Sequence, residues 1–242
     1  MSKEVPPPLL PYRGNCGGSH YPEAPAVSVE ELCLTYDRGQ THALNKLSLS
    51  VKRGQRIALV GENGSGKSTL LKYLSGMINA DSGSAETLGH RPGVCRHEVA
   101  YLPQHSSLEW DFPISVERFV LTGSYVRLGW FRRPGLSQRE RAQEVIADMG
   151  LSDLAQRLIG NLSGGQQQRC LLARTLLHSA ELYLLDEPFN AVDDASRVLI
   201  WEALDRLRAS GSTILMATHD VDRFADRFDR VVTLSNGRIL DV

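Results

Sequence analysis

The chain has 242 residues, 42% hydrophobic and 23% charged, and its 27 Lys plus Arg against 28 Asp plus Glu leave a net charge of −1. That length suits about one or two domains with a core that needs no disulfide staples. The balanced charge gives no global pull toward nucleic acid or anionic lipid, and no apolar run approaches the ~18 residues that cross a bilayer.

Residues 1–25 are rich in Pro and Gly, with "PPP" at 6–8 and "GNCGGSH" at 14–20. They read as a disordered tail without the apolar segment of a secretory signal. From residue 26 onward the pattern is that of one folded domain. "VSVEELCLTY", the alternating "LSLSV" and the short apolar "RIALV" predict three strands. A glycine-rich loop and the helical "KSTLLKYLSG" follow, with Gly76 as a stop. "EVAYLPQ" predicts another strand.

Residues of about 105–175 read as an inserted helical lobe built from "SVERFVLTGSYVRL", "SQRERAQEVIADMG" and "GGQQQRCLLARTLLHS". Ser137 and Glu140 have the spacing of a capping box at the start of the second. Beyond it, "ELYLLD", "TILMAT" and "RVVTLS" predict strands. They alternate with helices over "ASRVLIWEALDRLRAS" and "VDRFADRFD", and an Asn236-Gly237 hairpin turn leads into "RILDV". Apolar strands alternating with helices predict an α/β fold with a parallel sheet.

Cys16, Cys33, Cys95 and Cys170 are scattered, with no C-x-x-C pair, and read as free thiols in a reducing compartment. "HRPGVCRH" gathers His90, Cys95 and His97, but Pro92 and Gly93 make it an exposed turn rather than a metal site.

The sharpest motif is "GENGSGKST", Gly61 to Thr69, which fits G-x-x-x-x-G-K-[ST] between a strand and a helix. Glycines let backbone N–H groups wrap a phosphate chain, and the helix N-terminus adds its positive end. Lys67 is placed for β and γ phosphates and Ser68 for Mg²⁺. "LYLLDEP" is an apolar strand ending in two carboxylates. Asp186 is expected to hold Mg²⁺, and Glu187, pointing elsewhere, to polarise the attacking water. "LSGGQQQR" opens a second helix with Ser163, Gly164 and Gly165, a second anion-binding start. One phosphate loop with two such sites raises the possibility that the second serves a nucleotide held by another copy.

Together these strings resemble the ATPase subunit of an ATP-binding cassette (ABC) transporter, over essentially all of residues 27–242. The resemblance implies a P-loop ATPase core with an N-terminal antiparallel β subdomain and an inserted helical subdomain. It implies ATP and Mg²⁺ as cofactors. Nucleotide contacts would come from Tyr36, which would stack on adenine, and from Gly61, Asn63, Gly64, Ser65, Gly66, Lys67, Ser68 and Thr69. Ser163, Gly164, Gly165 and Gln166 would close over the γ-phosphate of the opposite subunit. Ser68, Gln104 and Asp186 would form the metal set, and Glu187, His219 and Gln104 the catalytic set. Asp193 matches the dimer-contact loop, with Asn190-Ala191-Val192-Asp193 where S-A-L-D is commoner.

"SSLEWDFPISVERFVLTGSYVRLGWFRRP", just after Gln104, is similar to the manganese/zinc/iron importer branch, and "LIGNLSGGQQQR" and "DEPFNAVD" fit that branch too. Iron-siderophore and cobalamin importers have related sequences here, and Arg127, Arg132 and Arg133 also suit a solvated basic turn. The implied partners are a second copy, an integral membrane permease docking near Gln104–Trp130 and, indirectly, an extracytoplasmic metal-binding protein, with no nucleic acid. The implied location is the cytoplasmic face of the membrane. An exporter, a soluble ABC protein or a nucleotide-binding regulator without turnover remain alternatives; Glu187 and His219 argue against the last.

Overall fold

The computed structural model describes residues 21, 23–36, 41–104, 110–128, 132–219, 221 and 224–240. Strands β1 (Val27–Tyr36), β2 (Thr41–Val51) and β4 (Ser82–Thr87) form an antiparallel sheet in the order β2-β1-β4. A second sheet holds β3 (Arg56–Val60), β5 (Val99–Leu102), β6 (Leu182–Asp186), β7 (Thr213–Ala217), β8 (Arg230–Ser235) and β9 (Arg238–Leu240), in the order β5-β6-β7-β3-β8-β9. Its neighbours are parallel except β8 and β9. Asn236 and Gly237, at φ 49 and 73, supply the two left-handed residues that a tight hairpin turn between those two needs.

The parallel sheet is buried on both faces, as its apolar strands require. Alternation sorts each strand between two cores. Leu182 and Leu184 of β6 face the side of β1, β2 and helix α1 (Lys67–Leu74). Tyr183 and Leu185 face the side of α2 (Val116–Leu121), α4 (Leu136–Asp148), α5 (Gly164–Leu177) and α6 (Asp194–Ala209). The inserted helices therefore share a core with the sheet. Across that core Trp201 of α6 is stacked among Phe189, Phe224 and Phe228, with ring centroids 4.9, 5.1 and 5.7 Å away.

Several expectations are corrected. The helix predicted over "SVERFVLTGSYVRL" is broken into α2, a 3-10 turn at Thr122–Ser124 and the short α3 (Tyr125–Leu128). Gly123 lies against α5, where a Cβ would stand 2.2 Å from the Arg174 carbonyl oxygen. Helix α4 starts at Leu136, not Ser137, because the Gly135 N–H donates to Gln138 Oε1 at 3.0 Å. Among the described residues the helix expected over 221–229 is only 3-10 structure, at Val221 and at Ala225–Arg227. There the chain must extend so that the Asp229 N–H can donate to the Arg56 carbonyl beside β8. Strand β4 went unpredicted because "SGSAET" buries only Ala85 and Thr87.

Cys33 and Cys170 carry free thiols, whereas Cys95 is disulfide-bonded, which corrects the free-thiol reading for that residue. Most of the predicted tail lies outside the described residues. Its last part is held: Arg53 donates to the carbonyls of Tyr21 and Ala24, and the Tyr21 ring meets His90 edge-on at 5.5 Å.

Candidate nucleotide-binding and hydrolysis site

Parallel pairing brings the C-terminal ends of four strands to one edge, the usual place for ligands in an open α/β sheet. Register sets the level: Leu59 of β3 pairs with Ala217 of β7, Ala217 with Asp186 of β6, and Leu185 with Leu102 of β5. One or two residues further along each strand stand Gly61, His219, Glu187 and Gln104. Motifs spread along the chain from Gly61 to His219 thus meet because the strands carrying them are neighbours.

The loop after β3 uses its glycines where other residues would be strained or clash. Gly61 and Gly66 adopt φ 143 and 110, and a Cβ would stand 2.1 Å from the Leu234 carbonyl oxygen at the first and 2.5 Å from the Ala43 carbonyl oxygen at the second. Lys67, buried beneath the loop, donates to the carbonyls of Gly61 and Glu62 at 2.7 and 2.9 Å and to Ser65 Oγ at 3.4 Å. These contacts hold the ammonium in place, and the Ser65 N–H closes the loop on the Glu62 carbonyl at 3.1 Å. The Tyr36 hydroxyl lies 3.3 Å from Thr69 Oγ1, and the residue is 42% exposed.

Across the cleft, Ser68 Oγ donates to Asp186 Oδ1 at 3.0 Å, and Asp186 Oδ2 is buried with no hydrogen-bond partner among the described residues. A hydroxyl beside a carboxylate with a buried oxygen to spare offers the oxygen ligands that a hard divalent cation takes. Burial pushes the Asp186 carboxyl up, opposed first by the Ser68 hydroxyl and then by Lys72 and Lys67. Glu187 Oε2 meets His219 Nδ1 at 2.7 Å. Burial also raises Glu187, opposed by the His219 ring. Glu187 precedes a proline yet sits at φ 52, and its N–H donates to the Ala217 carbonyl at 3.0 Å. A non-glycine residue held there costs about 1–3 kcal/mol, strain that concentrates at functional sites.

Two adjoining cavities follow this edge. One, of about 530 Å³, is lined by Gly61, Glu62, Asn63, Gln104, Glu187, Asn190 and His219. The other, of about 400 Å³, runs from Tyr36 along the loop to Thr69 and shares Asn63, Gln104 and Glu187 with the first. Asn190, Glu62 and the Thr41–Ala43 start of β2 also line them. Glu62 and Asn190 carry a hint from their places in "GENGSGKST" and "NAVD"; nothing in the sequence of β2 shows that the antiparallel sheet lays it against the loop.

Ser163, Gly164, Gly165 and Gln166 line neither cavity. They start α5 elsewhere: Ser163 Oγ accepts the Gln166 N–H at 3.4 Å and Gln166 Oε1 accepts the Ser163 N–H at 2.9 Å. Asp193 caps α6 by accepting the Ser196 N–H at 2.7 Å, and this hydrogen bond lowers its carboxyl below the usual range. Among the described residues no group of three metal-ligating side chains is present. No described helix is long and apolar enough to cross a membrane.

Comparison with known proteins bears on the family and the fold. The family profile described as "ABC transporter" matches residues 44–190. The zinc transport system ATP-binding protein TroB of Treponema pallidum is 43% identical over 87% of this chain and 78% of its own. The manganese transport system ATP-binding protein MntB of Bacillus subtilis is 40% identical over 86% and 82%. Among solved structures, a dimeric post-hydrolysis ATP-binding cassette bound to ADP and phosphate superposes with a TM-score of 0.78 at 26% identity, covering 89% of this chain and 97% of that one. The CbiO1 subunit of a Clostridium perfringens ABC transporter complex gives 0.75 at 28%, covering 90% and 88%. By sequence, fold and the residues gathered at its sheet edge, the chain belongs to the ABC transporter family, as one of its ATP-hydrolysing cassettes.

Proposed function

We propose that residues 26–242 act as one cassette in the ATPase pair of a metal-ion importer, driving a separate membrane permease from the cytoplasmic face. Two copies sandwich two ATP molecules, each between one copy's Gly61–Thr69 loop and the other's Ser163–Gln166. The reading is supported most by the separation of these two segments: Lys67, Ser68, Glu187 and His219 line the two adjoining cavities, with Asp186 bonded behind them to Ser68, while the second anion-binding start lies off both. A dimeric solved relative bound to ADP and phosphate adds support.

In this mechanism Tyr36 stacks on the base and the loop N–H groups and Lys67 bind the phosphate chain. Ser68 and Asp186 are the residues that would hold Mg²⁺, with Gln104 beside them; when bound, the ion neutralises charge on the phosphate oxygens. Glu187 accepts the proton of the attacking water, and His219, bonded to its carboxylate, holds it in line. Permease contact falls to the region after Gln104, of which residues 105–109 and 129–131 lie outside the described residues.

A transition metal as cargo is supported by relatives named for zinc and manganese transport. The test is reconstitution of the chain with its permease and external binding protein in vesicles. ATP-dependent uptake of Mn²⁺ or Zn²⁺ that disappears with Lys67→Ala supports the reading. Uptake of a ferric siderophore or cobalamin instead would replace the cargo, and export would reverse the direction.

A further inference from the structure

Gln168 lies in the second turn of α5 and is buried, although the sequence around it, "GGQQQR", gives it no role beyond its two neighbours. Its Nε2 donates to the carbonyls of both Glu187 and Pro188, each at 3.3 Å. A buried side-chain amide must be hydrogen-bonded, so its partners fix its direction. The partners here are the peptide carbonyls at the one position where the catalytic strand turns left-handed, Glu187 at φ 52.

A second contact runs between the same two segments. Ala191 is also left-handed, at φ 57, and Gly165 of α5 presses on it so closely that a Cβ would stand 2.8 Å from the Ala191 carbonyl oxygen. Each of the two left-handed non-glycine residues between β6 and α6 is therefore covered by the first turns of α5. The helix start that opens toward a second copy and the backbone carrying the carboxylate form one packed unit.

We infer that Gln168 is a positioning residue: its amide holds the Glu187–Pro188 backbone so that the carboxylate stays against His219, and it carries any shift of the α5 start to Glu187. This rests on the reading of Glu187 as the group that takes the proton from water. Hydrogen bonds weaken steeply with angle, so a small rotation of α5 would loosen one carbonyl before the other and turn the carboxylate. Contact with a partner's nucleotide at Ser163–Gln166 would thus reach the first copy's own water-activating group without passing through the cleft.

The test uses the full chain with Gln168→Met, which keeps length and volume and removes the donor, and Gln168→Glu, which keeps length and places an acceptor against the carbonyls. Each is measured for thermal midpoint, nucleotide affinity, kcat and KM. The expected result is a fall in kcat of about 10- to 100-fold, the scale set by small misplacement of a reacting group, with KM for ATP and nucleotide affinity held within about twofold. In a Glu187→Gln background, Gln168→Met should cause no further loss, because the residue acts through Glu187. Unchanged kcat in folded Gln168→Met, or a loss that persists undiminished in the Glu187→Gln background, would overturn the inference. If Glu187→Gln itself hydrolyses ATP at the parental rate, the proposed role of Glu187 fails instead, and the two failures are told apart.

Discussion

Alanine at the two glycines that start α5 is expected to act in opposite directions. In a helix alanine is favoured over glycine by about 1 kcal/mol, because glycine loses more backbone freedom on folding. At Gly164 an added Cβ would meet only the Ala191 Cβ, at 4.0 Å, an ordinary contact. Gly164→Ala should therefore stabilise the fold by up to about 1 kcal/mol. At Gly165 the same Cβ would stand 2.8 Å from the Ala191 carbonyl oxygen, a backbone atom of a residue already held at φ 57. Overpacking of this kind costs about 1–3 kcal/mol. Subtracting the helix gain leaves a net loss of about 1 kcal/mol for Gly165→Ala. For a chain of this size that lowers the melting midpoint by about 2–4 °C, and Gly164→Ala raises it by up to as much. Thermal melts and urea titrations of the two variants, run beside phosphate-release assays, read both signs at once. On the proposed pairing, in which this helix start closes over the partner's nucleotide, hydrolysis should fall in Gly164→Ala despite its higher midpoint. A higher midpoint for Gly165→Ala would refute the claim that α5 and the loop after Glu187 are locked together by close contact.

The other expectations follow from charge and burial. Glu187→Gln should lower hydrolysis by about 10²- to 10⁴-fold, the usual contribution of a general base. The same variant should melt higher at neutral pH. Burial raises the folded-state Glu187 carboxyl above its unfolded value, so ionisation costs stability as pH rises through the folded pKa, and a neutral amide escapes that cost. The difference should close below the ordinary carboxylate range, and an equal or lower midpoint at neutral pH would contradict it. Lys67→Met removes the ammonium held at 2.7 and 2.9 Å from the Gly61 and Glu62 carbonyls. It should weaken ATP binding by about 10- to 100-fold, the worth of one charge-assisted contact, as read by titration calorimetry. Trp201→Ala, at a residue 3% exposed, should lower stability by about 3–5 kcal/mol in urea titrations.

Much of the fold is legible where local chemistry and tertiary structure demand the same thing. "RIALV" becomes β3 residue for residue, because five apolar or shielded positions between turns have no alternative to burial. Asn236-Gly237 makes its hairpin because both residues tolerate left-handed backbone. The fold was not legible where a distant neighbour decides. The 3-10 turn at Thr122–Ser124 falls where Gly123 packs against the Arg174 carbonyl, a contact no local pattern shows. The Val221–Asp229 stretch carries a helical pattern, yet Phe228 is extended where the chain enters β8. Cys95 reads as a free thiol until its disulfide is seen.

The candidate site divides in the same way. Residue type and spacing alone point to the proposed chemistry: Gly61–Thr69 for phosphate and, beside that loop, Asp186 for a cation and Glu187 for water. Tertiary structure decided how they meet. Parallel register sets Asp186 level with Ala217 and Leu59, which brings His219 to within 2.7 Å of Glu187. It also turned Gln168, one of three glutamines in a row, into the residue that grips the Glu187 backbone. Residue type is a local property of the chain, whereas the direction of a buried amide is set by whatever carbonyls the fold puts in front of it.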